Sequence, residues 1–336
     1  MIVWSYTNWI TMKSALVLGA GGFIGHHLSK RLKDEGFFVR GADLKLPSYE
    51  QSYCDEFLLM DLTNPLSCKQ AIDKQYDEIY QLAADMGGAG YIFSGDNDAQ
   101  VMHNSASINL NVAHSCTESG NQSVFYSSSA CIYPEHNQLD PLNPNCEEKT
   151  AYPANPDSEY GWEKLFSERL YLSYNRNFNS NHKIARYHNI FGPLGAWNNG
   201  KEKSPAAICR KIAMAKNGGS IEIWGDGSQT RSFLFIDECL EGTLRLYRSD
   251  FIGPYNIGSD EMISINDFVD LVADIAGKTI KKVHVPGPLG VMGRNSDNRL
   301  IYKDLHWKPT SSLRSGVEDL YQWIESQVFA GNHDSK

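Results

Sequence analysis

Tyr160 and Lys164, in YGWEK, stand four residues apart, a spacing that brings both side chains to one face of a helix. An ammonium beside a phenol favours its ionised form, which can take the proton of a hydroxyl group. The pair is also what any amphipathic helix can carry, so its meaning depends on its company. Upstream, SSSACIYPE puts three hydroxyls (Ser127, Ser128, Ser129) and the thiol of Cys131 where a buried strand is expected to emerge into a loop. Free cysteines are most often small buried residues. A thiol beside positive charge is instead a nucleophile or a base.

Gly19, Gly22 and Gly25 lie in GAGGFIG, between an apolar run and a helical pattern with Ile24, Leu28 and Leu32 on one face. Without side chains there, backbone N–H groups and a helix N-terminus can approach a pyrophosphate. The next apolar run ends in Asp43, about twenty residues on, where a carboxylate accepts from ribose hydroxyls and repels a 2′-phosphate. NAD is therefore expected over NADP. With a nicotinamide cation nearby, the Tyr160 phenol is expected to ionise well below its ordinary value of about 10. Asp61, in LLMDL, either faces the adenine or caps the following helix.

These residues need a scaffold. SALVLGAGGFIGHHLSKRLKDEGFFVRGADL reads as strand, glycine turn, helix, strand. Further apolar runs at EFLLMDL, EIYQLAA, SVFYSSS and KIARYHNIFG alternate with helical patterns, the signature of a doubly wound parallel α/β sheet. From about residue 190 turns dominate, followed by a basic helix in AAICRKIAMAK and a strand ending in WGDGSQTRSF. FLFIDECLEGTLRLYR and GPYNIGSD read again as strand, helix and strand. The expected division is a Rossmann-like domain over 13–190, rejoined by 232–259, and a smaller substrate-binding lobe from 191–231 and 260–330. Residues 1–12 are expected to be a disordered extension, with Met12 an alternative start.

A net charge of −9 argues against broad affinity for nucleic acid or anionic membranes and points to small-molecule partners. The seven cysteines are scattered, without CxxC pairs, which indicates neither a disulfide framework nor a metal site and suits a reducing cytoplasm. No segment has the roughly 18 uninterrupted apolar residues of a membrane span, and the N-terminus lacks a signal-peptide pattern.

GAGGFIG, LAAD, SSSACIYP, YGWEK, HNIFGP and GDGSQTRSF together resemble the extended short-chain dehydrogenases/reductases that act on sugar nucleotides. AADMGG, SSACIYPE, NGKEKSPAAICRK, WGDGSQTRSFLFIDEC and GRNSDN resemble, within them, the GDP-mannose 3,5-epimerase family. The resemblance implies that Ser129 hydrogen-bonds the reacting hydroxyl and that Phe23, Ile24, Tyr160 and Lys164 join the glycines in holding NAD. It implies oxidation at C4 of a GDP-hexose, which acidifies the hydrogens at C3 and C5, then inversion by an acid and a base on opposite faces. Cys131 and Lys203 would be that pair. On its own, Lys203 would pass for a solvated loop lysine. Lys211, Arg231 and Arg294 would meet the diphosphate and nucleotide, and Gly88, Ala130, Asn189, Glu202, Ser204, Gln229 and Thr230 would complete the substrate site. A homodimer is the superfamily's habit. The segments AGYIFSGDNDAQVMHNSASINLN and GAWNNGK differ from that pattern, which leaves room for another GDP-hexose or a GDP-heptose.

Other sugar-nucleotide enzymes of this fold remain alternatives. A 4,6-dehydratase would carry an Asp-Glu pair where Ala130 and Cys131 stand, and a simple 4-epimerase has no need of Cys131 with Lys203. A non-catalytic NAD-binding protein would be expected to break the set of Ser129, Tyr160 and Lys164.

Overall fold

The structure, a computed structural model, describes residues 12–331. The extension expected over 1–12 therefore lies, except for Met12, outside the described residues.

The central sheet contains β1 (Ser14–Leu18), β2 (Phe38–Asp43), β3 (Glu56–Leu59), β4 (Glu78–Gln81), β5 (Phe125–Ser129) and β6 (Lys183–Tyr187). All are parallel, in the order β3-β2-β1-β4-β5-β6, and a seventh strand, Tyr255–Ile257, adds in parallel beyond β6. The fold is thus an α/β Rossmann-like doubly wound sheet. Its order reverses between β1 and β4, and such a reversal opens a crevice at the strands' carboxyl ends.

Both faces of the sheet are covered, so its strands read as nearly continuous apolar runs. Along β1, Ala15 and Val17 join a core with Leu28, Val39, Phe125 and Leu240. Leu16 and Leu18 point the other way, into a core with Ile79, Val112, Tyr126 and Tyr171. Truncating either leucine to alanine would cost about 2–5 kcal/mol. A third core gathers Ile208, Ile212, Phe268, Val272, Val317 and Leu320. Above it, Thr230–Ser232 runs between Met262–Ser264 and Gly293–Arg294, in a register that sets Arg294 beside Arg231.

One run differs from the sequence reading. KIARYHNIFG splits into β6 and the short strand Ile190–Phe191, because Asn189 takes a left-handed φ of 45° that no strand continues through. In FLFIDECL the strand stops at Phe235 and a helix runs from Ile236 to Tyr247, with Asp237 and Glu238 favourably placed in its first turn. Among the described residues no helix is long and apolar enough to cross a membrane.

Candidate active site

A cavity of about 630 Å³ lies at the reversal point, walled by Gly19, Gly22, Phe23, Ile24, Gly25, Asp43 and Asp61 among others. The turn is tight: a Cβ on Gly25 would sit 2.1 Å from the Gly19 carbonyl oxygen. Gly22 caps the helix Phe23–Asp34 without a side-chain acceptor, so the first N–H groups of that helix are left for an anion. At the far wall, Asp43 accepts from the N–H of Gly21 at 2.9 Å and of Lys45 at 3.2 Å. Burial raises its carboxyl above the usual range, against the pull of these N–H groups. A pyrophosphate on the helix end and a ribose against Asp43 suit these residues, so the cavity fits a dinucleotide. Asp61 is not a helix cap. Its Oδ1 accepts from Thr63, at 2.9 Å from N–H and 2.7 Å from the hydroxyl, while Asn64, one position before the helix, accepts from Leu66.

A second cavity, of about 430 Å³, adjoins it and is walled by Gly88, Ser129, Ala130, Cys131, Tyr160, Asn189, Glu202, Lys203, Ser204, Lys211, Gln229, Arg231 and Arg294. Lys203 lines both cavities. β5 delivers Ser129 to this wall, and its hydroxyl accepts from the Cys131 N–H at 3.2 Å, turning the thiol inward over a single helical turn. The helix Glu159–Phe178, capped by the Ser158 hydroxyl on the Gly161 N–H, brings Tyr160 up from the side. Lys164 lies behind the wall, nearly inaccessible, and donates to the Ser127 carbonyl at 2.9 Å; its nitrogen is 5.6 Å from the centre of the Tyr160 ring.

The protein's own groups act on the Tyr160 phenol in both directions. Burial pushes it above its ordinary value and the nearby Cys131 adds to the rise, with a Ser129 hydrogen bond and the Arg294 charge opposing. It packs with Ile92 and Val101, and the Lys164 ammonium, itself pushed down by burial, is committed to a carbonyl. A lysine four residues away does not by itself ionise this phenol.

Lys203 stands at the N-cap of the helix Ser204–Met214. Burial lowers its ammonium, partly offset by Cys131 and Cys239. Opposite, Arg294 donates to Gln138 Oε1 at 2.6 Å, to Asp157 Oδ2 at 2.7 Å and to Cys131 Sγ at 3.1 Å. It was expected to face a diphosphate; these three edges are turned to protein. Arg231 is similarly engaged, donating to the carbonyls of Thr230, Leu289 and Val291. Burial and the neighbouring Arg294 push its guanidinium down to about 10. Lys211 donates to the Glu222 carbonyl at 2.7 Å. Gln229 donates to Trp224 and leaves its buried Oε1 without a partner. Thr230 donates to the Pro141 carbonyl, and Asn189 to the Ser232 carbonyl at 2.9 Å. Glu202 accepts from Arg210 at 2.9 Å and Gly88 donates to the Lys201 carbonyl, which closes the loop against Gly88. Two residues escaped the sequence reading. Asp157 could have been suspected as a carboxylate in NPDSEYG, directly before the tyrosine's helix. Gly161, inside YGWEK, gave no signal.

A family model described as "NAD dependent epimerase/dehydratase family" matches residues 15–258. A GDP-mannose 3,5-epimerase of Arabidopsis thaliana is 46% identical over 314 residues, covering 93% of this chain and 82% of that protein. Among solved structures, a UDP-glucuronic acid 4-epimerase of Bacillus cereus, in complex with UDP-glucuronic acid and NAD, superposes with a TM-score of 0.78 at 27% identity, over 94% of this chain and 99% of the other. A UDP-glucose 4-epimerase of Thermotoga maritima, at 20% identity and a TM-score of 0.82 over 94% and 99%, shares the fold. With the glycine turn, the Tyr160 and Lys164 helix and a match spanning most of its length, the chain belongs to the NAD-dependent epimerase/dehydratase family, as an enzyme of the epimerase type.

Proposed function

We propose that the enzyme inverts C3 and C5 of a GDP-hexose, converting GDP-mannose to GDP-L-galactose. The observation that carries this reading is that Cys131 and Lys203 line one cavity beside Tyr160, an arrangement a plain 4-epimerase does not require. The 46% identity to a GDP-mannose 3,5-epimerase supports it.

Gly19, Gly22, Phe23, Ile24, Gly25 and Asp43 would hold NAD, which when bound would accept a hydride from C4 and later return it. With the charge of a bound nicotinamide beside it, the Tyr160 phenol would ionise and take the C4 hydroxyl proton, with Ser129 orienting that hydroxyl and Lys164 placed behind the ring. The C4 ketone acidifies the neighbouring C–H bonds. Cys131, as thiolate, removes a proton from one face; the electron pair moves into the enolate, and Lys203, as ammonium, returns a proton to the other face. Burial lowers the Lys203 ammonium, which makes it the readier donor. Gln229, with its unpartnered carbonyl, together with Gly88, Ala130, Asn189, Glu202, Ser204, Lys211, Thr230, Arg231 and Arg294, forms the rest of the substrate site.

A division into a cofactor domain (13–190 with 232–259) and a substrate lobe (191–231 with 260–330), a homodimer and a cytoplasmic location belong to the same proposal. The described cysteines are all free, as a reducing compartment would leave them. Incubation with GDP-mannose in deuterated water tests the reading. Deuterium at C3 and C5 of recovered sugar, seen by NMR, is expected; label at neither carbon would overturn it.

A further inference from the structure

Cys131 lies among cations from several parts of the chain. It shares one cavity wall with Tyr160 from the helix Glu159–Phe178, with Lys203 from the N-cap of the helix Ser204–Met214, and with Arg231 and Arg294 from the paired strands. Among the described residues, Arg294 alone of these donates a hydrogen bond to the sulfur, at 3.1 Å. A guanidinium has no acceptor atom, so the sulfur must accept. A cationic donor on sulfur favours thiolate over thiol.

What holds Arg294 there is a second group. Asp157 and Arg294 form an ion pair at 2.7 Å, with side chains only 5% and 6% exposed. Gln138 takes the Nε edge. The planar fork is thereby fixed at two points, and its third contact is Sγ. Arg294 also lies in register beside Arg231, so two guanidinium groups are neighbours in a nearly dry site. Asp157 is the carboxylate that offsets both charges. It immediately precedes Ser158, the cap of the helix that carries Tyr160. One carboxylate therefore ties the arginine, the thiol and the tyrosine's helix to a common point.

We propose that Asp157 is a positioning residue for Cys131: it holds the Arg294 guanidinium against Sγ, and that contact keeps the sulfur in its charged, proton-accepting form. The inference rests on the reading of Cys131 as a proton-transfer group in the proposed epimerase.

The test reads the thiol directly. Full-length protein is alkylated with iodoacetamide across a pH series, and modification of the Cys131 peptide is followed by mass spectrometry for wild type, Asp157→Asn, Asp157→Glu and Arg294→Lys. Asp157→Asn is expected to move the midpoint of Cys131 alkylation up by about one pH unit or more and to slow modification near neutrality about ten-fold. Asp157→Glu, which keeps the carboxylate, is expected to restore most of the wild-type profile. A folded Asp157→Asn protein, by circular dichroism, with an unchanged midpoint would overturn the proposal. Should that variant fail to fold, Arg294→Lys decides: lysine keeps the charge but cannot span Gln138, Asp157 and Sγ, so an unchanged midpoint there also overturns it. Alkylation needs no substrate. Failure to turn over GDP-mannose would therefore refute the proposed function, while the midpoint alone decides the role of Asp157.

Discussion

A Cβ atom on Gly161 would lie 2.2 Å from the carbonyl oxygen of Cys131. The helix bearing Tyr160 and Lys164 and the turn bearing Cys131 are thus in backbone contact, with no room for a side chain between them. The same closeness sets the phenol beside the thiol, both on the wall of one cavity.

Gly161→Ala is accordingly expected to push the helix and the turn apart. A shift of about 1 Å in a reacting group can cost on the order of 10² in rate. Because Tyr160 and Cys131 move together, C4 oxidation and carbon-acid exchange should both fall by about that factor while the protein stays folded. Steady-state kinetics and exchange measured on one preparation would check this; full activity would mean that the contact relaxes without consequence.

A second expectation concerns acid. Burial pushes His182 down to about 4 and His188 to about 3, the latter against a hydrogen bond with Asn256. Both are neutral in the folded chain and bind protons more readily once unfolded, where the ordinary value is 6.5. Their folded values are depressed, so the stability they contribute is complete above 6.5 and is lost as pH falls toward 4 and 3. At pH 5 the loss is about 2 kcal/mol for each. Thermal melting should therefore drop between pH 7 and pH 5, and His182→Asn should flatten that slope. A slope unchanged in the variant would mean that His182 does not titrate with unfolding.

The parts of the molecule written locally were open to reading. Apolar runs pointed to the parallel sheet because its inner strands are buried on both faces, and GAGGFIG and Asp43 were found because one βαβ unit holds them. The Tyr160 and Lys164 pair followed from helix geometry alone. What stayed hidden depends on distance in sequence or on competition between neighbours. Arg294 reaches Asp157 across 137 residues and Cys131 across 163, and no spacing rule encodes such a meeting. Asp61 and Asn64 are equally good caps by composition, and the backbone chose Asn64. The burial of the Tyr160 phenol stayed hidden for a similar reason: charge proximity could be inferred from a four-residue spacing, whereas the apolar packing comes from Ile92 and Val101, which reach it from elsewhere in the chain.

The sharpest separation between this enzyme and a plain 4-epimerase lies in Cys131→Ala. Tyr160, Lys164 and Ser129 are held by their own contacts, the helix cap at Ser158, the Ser127 carbonyl and the end of β5, and none of these requires the thiol. Oxidation at C4 should therefore persist. Removal of a positioned base typically costs about 10² to 10⁴ in the step it serves, and the loss should fall on deuterium incorporation at C3 and C5. Lys203→Met, which removes the opposing proton donor but keeps much of the side chain's bulk, should likewise spare C4 oxidation and suppress inversion. The check is to follow reduced-nicotinamide absorbance and NMR label in the same reaction mixture for both variants. Loss of absorbance change along with exchange would place Cys131 in the scaffold of the oxidation step, and undiminished exchange would make it a packing residue.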